Sequence, residues 1–339
     1  MNYILTDENA IYYECGYSND NSIYLALGSD SYLITDGRYK LDALESLHKT
    51  KLIISNNLSL EVSKLINRSK IKKISFNPKE WSYSAITSIK EKTKSKWNSK
   101  PDFSHKRRII KTSQEIKMLK KAVDLGSDAF DIFAEAIRLE GIGISEKRLN
   151  FIAERVMRKE GDRALSFEPI TALNRNSAKP HAYPSEIISK KGDILLFDAG
   201  LKYKRYCSDR TRASYLDGNI TFDIEQKFNT KKRQKIYDIV RKAHDRAISK
   251  SRAGMKASQI DRFARDVIEK AGYSKYFVHS TGHGVGLDIH EMPYISTRSK
   301  TKVEDGMVFT IEPGIYLPGE FGVRIEDMVL MRDGRVEVL

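Results

Sequence analysis

Cysteine is nearly absent from this chain of 339 residues: Cys15 and Cys207 stand far apart and form no CxxC pair. Neither a disulfide framework nor a thiolate zinc site is indicated, and both thiols are expected to be reduced and structural. Long hydrophobic runs are missing too, none approaching the roughly 18 residues of a membrane helix. The start, MNYILTDENAIYYECG, carries acids where a secretory signal needs a basic end and then an apolar stretch, so a cytoplasmic protein is expected. Acid is scarce relative to base, 45 Asp and Glu against 59 Lys and Arg, for a net charge of +14. Such a balance raises the question of a nucleic-acid partner.

The distribution of that charge answers it in part. Residues 1 to 50 hold 3 basic against 8 acidic side chains, and residues 51 to 110 hold 15 against 4, so the excess sits in one stretch. Trp81, Tyr83 and Trp97 are interleaved with its cations, which is the composition of a polyanion-binding face. A Lys-rich solvated face is the reading preferred here, because Lys, Asn, Ile and Ser are used heavily throughout. A nucleic-acid partner is not expected.

The length suits two domains. In the first, residues 1–108, SIYLALG, SYLITDG, KLIIS and KKISFN read as strands, and YKLDALESL and LEVSKLIN carry helical spacing. A small α/β domain is expected, with a polar linker from Thr93 to Lys111 around Pro101. In the second, residues 109–339, Thr112 and Glu115 make a capping-box signature for a helix running to Glu140, stopped by Gly141 and Gly143. Ser145 opens another helix that ends by Gly161, and a strand pair follows, DILLFDAG and YCSDRTRASYL. The same order recurs: helices over 234–251 and 257–271, then the strand pair MVFTIEPGIYL and GVRIEDMVLM. Two halves, 112–217 and 233–331, thus share one plan.

Each strand pair carries two acids, Asp198 and Asp209 in the first, Glu312 and Glu326 in the second, and His283 lies in the loop HSTGHGVGLDIHE between the halves' matching elements. Opposed residues of an antiparallel pair have Cβ atoms about 4.5–5.5 Å apart, so each pair of acids is expected to share one cation cluster. Without a cation, acids inside sequence as apolar as ILLFDAG and VFTIEPG would be costly. Four carboxylates and one imidazole are the inventory of a two-metal hydrolase, whose ions lie roughly 3.5–4 Å apart.

The segments NRNSAKPHAYPS, LLFDAGLKYKRYCSDRTR, HSTGHGVGLDIHE, TIEPGIY and GVRIED closely resemble those of the pita-bread metallopeptidases, within them the Xaa-Pro group of prolidases (Xaa-Pro dipeptidases) and aminopeptidase P. The resemblance covers essentially the whole chain and implies a creatinase-type N-terminal α/β domain before a pseudo-symmetric α+β catalytic domain. It implies that Asp198 binds one metal, that His283 and Glu312 bind the other, and that Asp209 and Glu326 bridge the two. His181, His279 and His290 match histidines near the metals and substrate, Arg324 an arginine two residues before the last ligand, and Tyr316 a tyrosine of the aminopeptidase P pattern. His48, His105 and His244 match nothing and read as ordinary polar residues. One departure is Ala199 after Asp198, where many relatives carry Phe or Ile.

What the resemblance implies chemically is hydrolysis of the bond before proline by a hydroxide shared between two divalent ions, with Glu312 passing the proton to the leaving nitrogen. Manganese is the expected metal, with cobalt, zinc and iron left open, and a homodimer the expected assembly, although little chain follows the last strand to guide that expectation. Rival readings are a methionine aminopeptidase-like enzyme, which lacks the extra N-terminal domain, a creatinase-like amidinohydrolase, which works without metal, and a non-catalytic binding module, which typically loses ligands. The intact ligand set and the N-terminal domain favour the Xaa-Pro reading.

Overall fold

SIYLAL is buried at all six positions, the pattern of a strand covered on both faces. It is the second strand in a computed structural model that describes residues 1–140 and 142–339 and divides into units Met1–Arg108 and Ile109–Leu339. The first unit runs β1 (Tyr3–Leu5), α1 (Glu8–Cys15), β2 (Ser22–Leu27), β3 (Asp30–Thr35), α2 (Lys40–Ser46), β4 (Lys51–Ile54), α3 (Leu58–Ser69), β5 (Lys73–Phe76), α4 (Tyr83–Lys90), β6 (Lys96–Ser99) and α5 (Phe103–Arg108). Its strands form one mixed sheet in the order β4-β3-β2-β1-β5-β6. Val62 and Ile66 of α3 with Ile86 and Ile89 of α4 share one core with Ile4, Leu25 and Ile74; Ile11 and Cys15 of α1, Ala43 of α2 and Phe103 of α5 share another with Leu5 and Leu33.

The stretch expected to be a linker is therefore structured, holding β6 and α5. Its polar composition hid them because only Trp97 and Phe103 carry much of the apolar contact: Trp97 packs on Phe76 with ring centroids 5.9 Å apart and donates from Nε1 to Thr93, and Phe103 is buried. Trp81 also packs against the core, so neither tryptophan is presented as a stacking platform, whereas Tyr83 is 85% exposed.

The second unit opens with α6 (Ser113–Glu140), whose capping box forms as expected: Thr112 N–H donates to Glu115 Oε2 at 2.9 Å and Glu115 N–H to Thr112 Oγ1 at 3.3 Å. Gly141, expected to help stop it, lies outside the described residues. Then come α7 (Glu146–Arg158), capped by Ser145, β7 (Ala164–Leu165), β8 (Ile170–Leu173), β9 (Ile194–Ala199), β10 (Leu201–Tyr203), β11 (Tyr206–Cys207) and β12 (Arg210–Tyr215). The second half follows with α8 (Lys231–Lys250), α9 (Ala257–Lys270), β13 (Gly282–Gly284), β14 (Glu291–Ile295), β15 (Val308–Ile311), β16 (Gly314–Leu317), β17 (Phe321–Arg324), β18 (Asp327–Arg332) and β19 (Arg335–Val338). Each half lays its helix pair on a sheet. Phe130, Phe133, Leu149 and Ile152 cover Leu195 and Phe197 in the first, and Ile236, Val240, Ile260 and Ala264 cover Phe309, Ile311 and Val329 in the second. No described helix is long and apolar enough to cross a membrane.

The expected strands were too long in three places. YCSDRTRASYL divides into β11 and β12, which belong to different sheets. MVFTIEPGIYL divides at Glu312-Pro313, and GVRIEDMVLM at Ile325-Glu326, so that β15 pairs with β18 in a five-stranded sheet while β16 pairs with β17 in a separate ribbon. Pro313 has no N–H to donate, so the ladder cannot run on through it and ends at Ile311.

Candidate metal centre

The candidate acids sit where strands end. Asp198 is opposite Thr211, and continuing that register sets Asp209 against Gly200, one residue before β12 begins. The two aspartates are thus diagonal neighbours, not directly opposed as expected. The other pair follows the expectation more closely: Ile311 is opposite Asp327, so Glu312 and Glu326 fall at the next step, just past the ladder. Thr211 also bridges to Glu326, which brings the two halves' acids together. Glycine makes room for this: a Cβ at Gly200 would lie 1.9 Å from the Ser208 carbonyl oxygen, and one at Gly284, beside His283, 2.2 Å from that of Met292.

Ligand-capable atoms of Asp209, His283 and Glu326 all lie within 4.8 Å of one another. His283 Nε2 stands 3.6 Å from Asp209 Oδ2 and 3.5 Å from Glu312 Oε1, while its Nδ1 faces the Gly284 carbonyl at 3.1 Å. Donation from Nδ1 to that carbonyl leaves the Nε2 lone pair turned to the acids, the tautomer a ligand needs. Burial, with His290 adding to it, pushes His283 down to about 3, so the ring is neutral. The acids are crowded: burial, then Glu326, Asp198 and Glu312, hold Asp209 well above the carboxylate range, and burial, then Glu312 and Asp198, do the same to Glu326. Burial lifts Glu312 to about 7, with Arg324 opposing. Asp198 Oδ1 is buried with no hydrogen-bond partner. A divalent cation answers all of these at once, giving the orphaned oxygen a partner and the clustered charge a counterion, so this donor set fits metal.

Behind the acids runs a chain of hydrogen bonds. Arg324 donates from Nη2 to Asp198 Oδ2 at 2.5 Å, from Nε to Thr211 Oγ1 at 2.9 Å, and from Nη1 to Tyr316 Oη at 2.8 Å and the Pro180 carbonyl at 3.1 Å. Tyr316 Oη meets His279 Nε2 at 2.9 Å. Tyr316, expected at the substrate, is 4% exposed and its hydroxyl is held between His279 and Arg324, so it acts through them. His279 reaches the cavity wall, as do the exposed His181 and His290, and the His290 ring packs on His283 at 4.3 Å. That cavity, about 590 Å³, has all five candidate ligands in its lining, with Phe167, Pro169, Ile170, Ile289 and Tyr294 forming apolar wall. His244 lies away from it, buried in α8, and His48 and His105 belong to the first unit.

Several working residues escaped sequence reasoning. Thr211 Oγ1 donates to Glu326 Oε2 at 2.5 Å. Glu146, fully buried on α7, accepts from the Leu173 and Ser185 N–H groups at 2.6 and 2.8 Å and from Asn176 Nδ2 at 2.8 Å, pinning the loop that carries His181. Asp261, fully buried on α9, accepts from Thr281 Oγ1 at 2.8 Å and pairs with Arg265, whose Nη2 donates to the His279 carbonyl. An acid at a helical position facing the core was the available signal in both cases, since it needs buried donors.

Comparison with known proteins accords with this geometry. Residues 117–333 match the metallopeptidase family M24, and residues 2–108 the creatinase/prolidase N-terminal domain. An Xaa-Pro dipeptidase of Pyrococcus furiosus is 39% identical over 253 residues, 74% of this chain and 69% of that protein. Among solved structures, an Xaa-Pro dipeptidase from Bacillus anthracis superposes with a TM-score of 0.91 at 35% identity, covering 99% of this chain and 92% of that one. An X-Pro aminopeptidase from Thermotoga maritima gives 0.87 at 31%, covering 99% and 94%. With its acids, cavity and pseudo-symmetric sheets in this arrangement, the chain belongs to the pita-bread metallopeptidases of family M24 and carries their creatinase-type N-terminal domain.

Proposed function

We propose that this protein hydrolyses the Xaa-Pro bond at the N-terminus of peptides. The observation that carries the reading is the convergence of Asp198, Asp209, His283, Glu312 and Glu326 on one cavity whose lining also includes apolar residues and His181 and His290. Two divalent ions, manganese in this proposal, would supply an activated water and polarise the scissile carbonyl when bound. Asp198 would hold one ion, His283 and Glu312 the other, and Asp209 and Glu326 both.

The chain's own groups do the rest. Glu312, whose carboxylate lines the cavity with Oε1 3.5 Å from His283 Nε2, is placed to take a proton from the attacking water and return it to the leaving proline nitrogen. His181 and His290, exposed at the wall, orient the substrate carbonyl and pack against the proline ring. Arg324 fixes Asp198, and Tyr316 with His279 fixes Arg324. The apolar wall suits a tertiary Xaa-Pro amide, which has no N–H to satisfy.

Chain length belongs to the same proposal. A dipeptide ends in a carboxylate beside the proline, and such a group calls for a cation. Arg324 is the one Lys or Arg among the described residues lining the cavity, and it is committed to Asp198, Thr211, Tyr316 and Pro180. Peptides longer than two residues are therefore the preferred substrates, cleaved by a homodimer as in the family pattern. Manganese-loaded protein is to be given Ala-Pro, Ala-Pro-Ala-Ala and Met-Ala-Ser, with products read by mass spectrometry. Release of Ala from Ala-Pro-Ala-Ala ahead of Ala-Pro supports the proposal. Cleavage of Met-Ala-Ser alone would replace it with the methionine aminopeptidase reading, and no cleavage at all with the binding-module reading.

A further inference from the structure

Three residues outside the cavity, Arg212 and His244 buried and Asp327 half-buried, lie on the joint between the two halves of the catalytic unit, and no step above uses them. Arg212 on β12 is 4% exposed, and its Nη1 donates to two carbonyls, that of Thr211 at 3.0 Å and that of Glu326 at 2.6 Å. Its Nη2 donates to Asp327 Oδ1 at 2.6 Å. Asp327 Oδ2 in turn stands 3.2 Å from Nε2 of His244, a 2%-exposed residue of α8. One guanidinium thus reaches from the first half's strand to the backbone and side chain of the second half's. It does so at the Thr211–Glu326 bridge, where Glu326 N–H also donates to the Thr211 carbonyl at 3.0 Å.

We propose that Arg212, Asp327 and His244 are positioning residues, a clamp that sets the spacing between Asp209 on one half and Glu326 on the other and so governs whether a second metal ion is held. Asp209 lies three residues before Arg212, and Glu326 immediately before Asp327, so each end of the clamp grips the chain beside a candidate ligand. A planar fork is required because three acceptors in fixed directions must be served together; an ammonium is a single point and cannot span them. Its loss strands the Glu326 carbonyl and takes a donor from the Thr211 carbonyl and the Asp327 carboxylate, and the cheapest relief is for the halves to part slightly and admit water. His244 anchors Asp327 to α8, which ties the joint to the second half's helix layer.

For its consequence, though not for its geometry, the inference rests on the two-metal reading, and its test has two arms. The full-length protein, wild type and Arg212→Lys, is first compared without metal by hydrogen exchange. The Glu326 amide is expected to exchange at least ~10-fold faster in the variant while the amides of α9 hold their wild-type rates. Manganese titration, read by calorimetry and by the spin-coupling of the bound pair in electron paramagnetic resonance, follows. The second ion is expected to bind at least ~10-fold more weakly and the coupling to change, with the first ion less affected. Should Arg212→Lys fail to fold, Asp327→Asn, which keeps the side-chain shape, carries both arms. Unaltered exchange at Glu326 overturns the clamp; faster exchange with both ions bound as in the wild type overturns its positioning role. A wild-type protein that binds fewer than two ions sinks the two-metal reading, and the exchange arm still decides the clamp.

Discussion

At the scale of single residues, the centre is a set of groups that each depend on a neighbour. Asp198 relies on Arg324, and Arg324 on Tyr316. Tyr316→Phe removes one hydroxyl from that chain and leaves the ring in place. The expected result is a kcat lower by about 10–100-fold, the usual cost of an outer partner, with KM little changed. Steady-state kinetics on Ala-Pro-Ala-Ala checks it, and an unaltered kcat would show that Arg324 holds Asp198 unaided. Asp209→Asn should cost more than that range and take the bound metal with it, which metal analysis after gel filtration reads directly. The four candidate acids stood out in the sequence because a carboxylate in or beside an apolar strand is expensive and demands an explanation, and His283 through the resemblance of its motif. Thr211 was not, since threonine is an ordinary strand residue whose hydroxyl acquires its role only when the second half comes to lie beside it.

Among elements, the helices were the most legible and the strands the least. The stripe from Ile116 to Ile137 in α6 and the Thr112–Glu115 cap are local features, written within a turn or two of each other. Strand pairing is non-local, and the divisions of MVFTIEPGIYL and GVRIEDMVLM depend on which sheet each part finds. Placing Glu312 and Glu326 at those divisions has a use: side chains at a strand end leave the pleat's strict alternation and can turn to a shared point. The helix layer bears on stability more than on chemistry. Phe133 of α6 is fully buried with its ring 4.5 Å from that of Phe197, which precedes Asp198 on the same strand, and 5.7 Å from that of Phe222. Phe133→Ala should lower the unfolding free energy by about 3–5 kcal/mol. Chemical denaturation measures this, and a loss under about 1 kcal/mol would mean that the layer repacks around the hole.

For the whole molecule, charge is the property to explain, and its two concentrations behave differently. The basic stretch of residues 51–110 surrounds tryptophans that pack into the core of the first unit, so its lysines keep Tyr83 alone as an exposed aromatic partner among the described residues, where a single-strand binding face needs several in succession. Fluorescence anisotropy with single-stranded DNA is expected to give only weak, salt-sensitive binding, no tighter than about 10⁻⁶ M at physiological salt. The acidic concentration is buried and does more. Without metal, burial raises Glu312 to about 7 and holds Asp209 and Glu326 above their ordinary range. Folded protein then retains protons that the unfolded chain, with carboxyls near 4, has already released. Between about pH 4 and 7 the folded state binds more protons than the unfolded one, so its stability falls as pH rises. A cation reverses the sign: it must displace those protons, so its affinity climbs with pH over the same window, up to about tenfold per unit for each proton displaced. In chelator, Tm should therefore fall between about pH 5 and 7 while the gain in Tm on adding manganese grows, and Glu312→Gln should blunt both trends. Scanning calorimetry on the two proteins separates this from every other titrating group. A manganese shift independent of pH, with wild type and variant parallel, would mean that the acids are not sharing one charge-crowded centre.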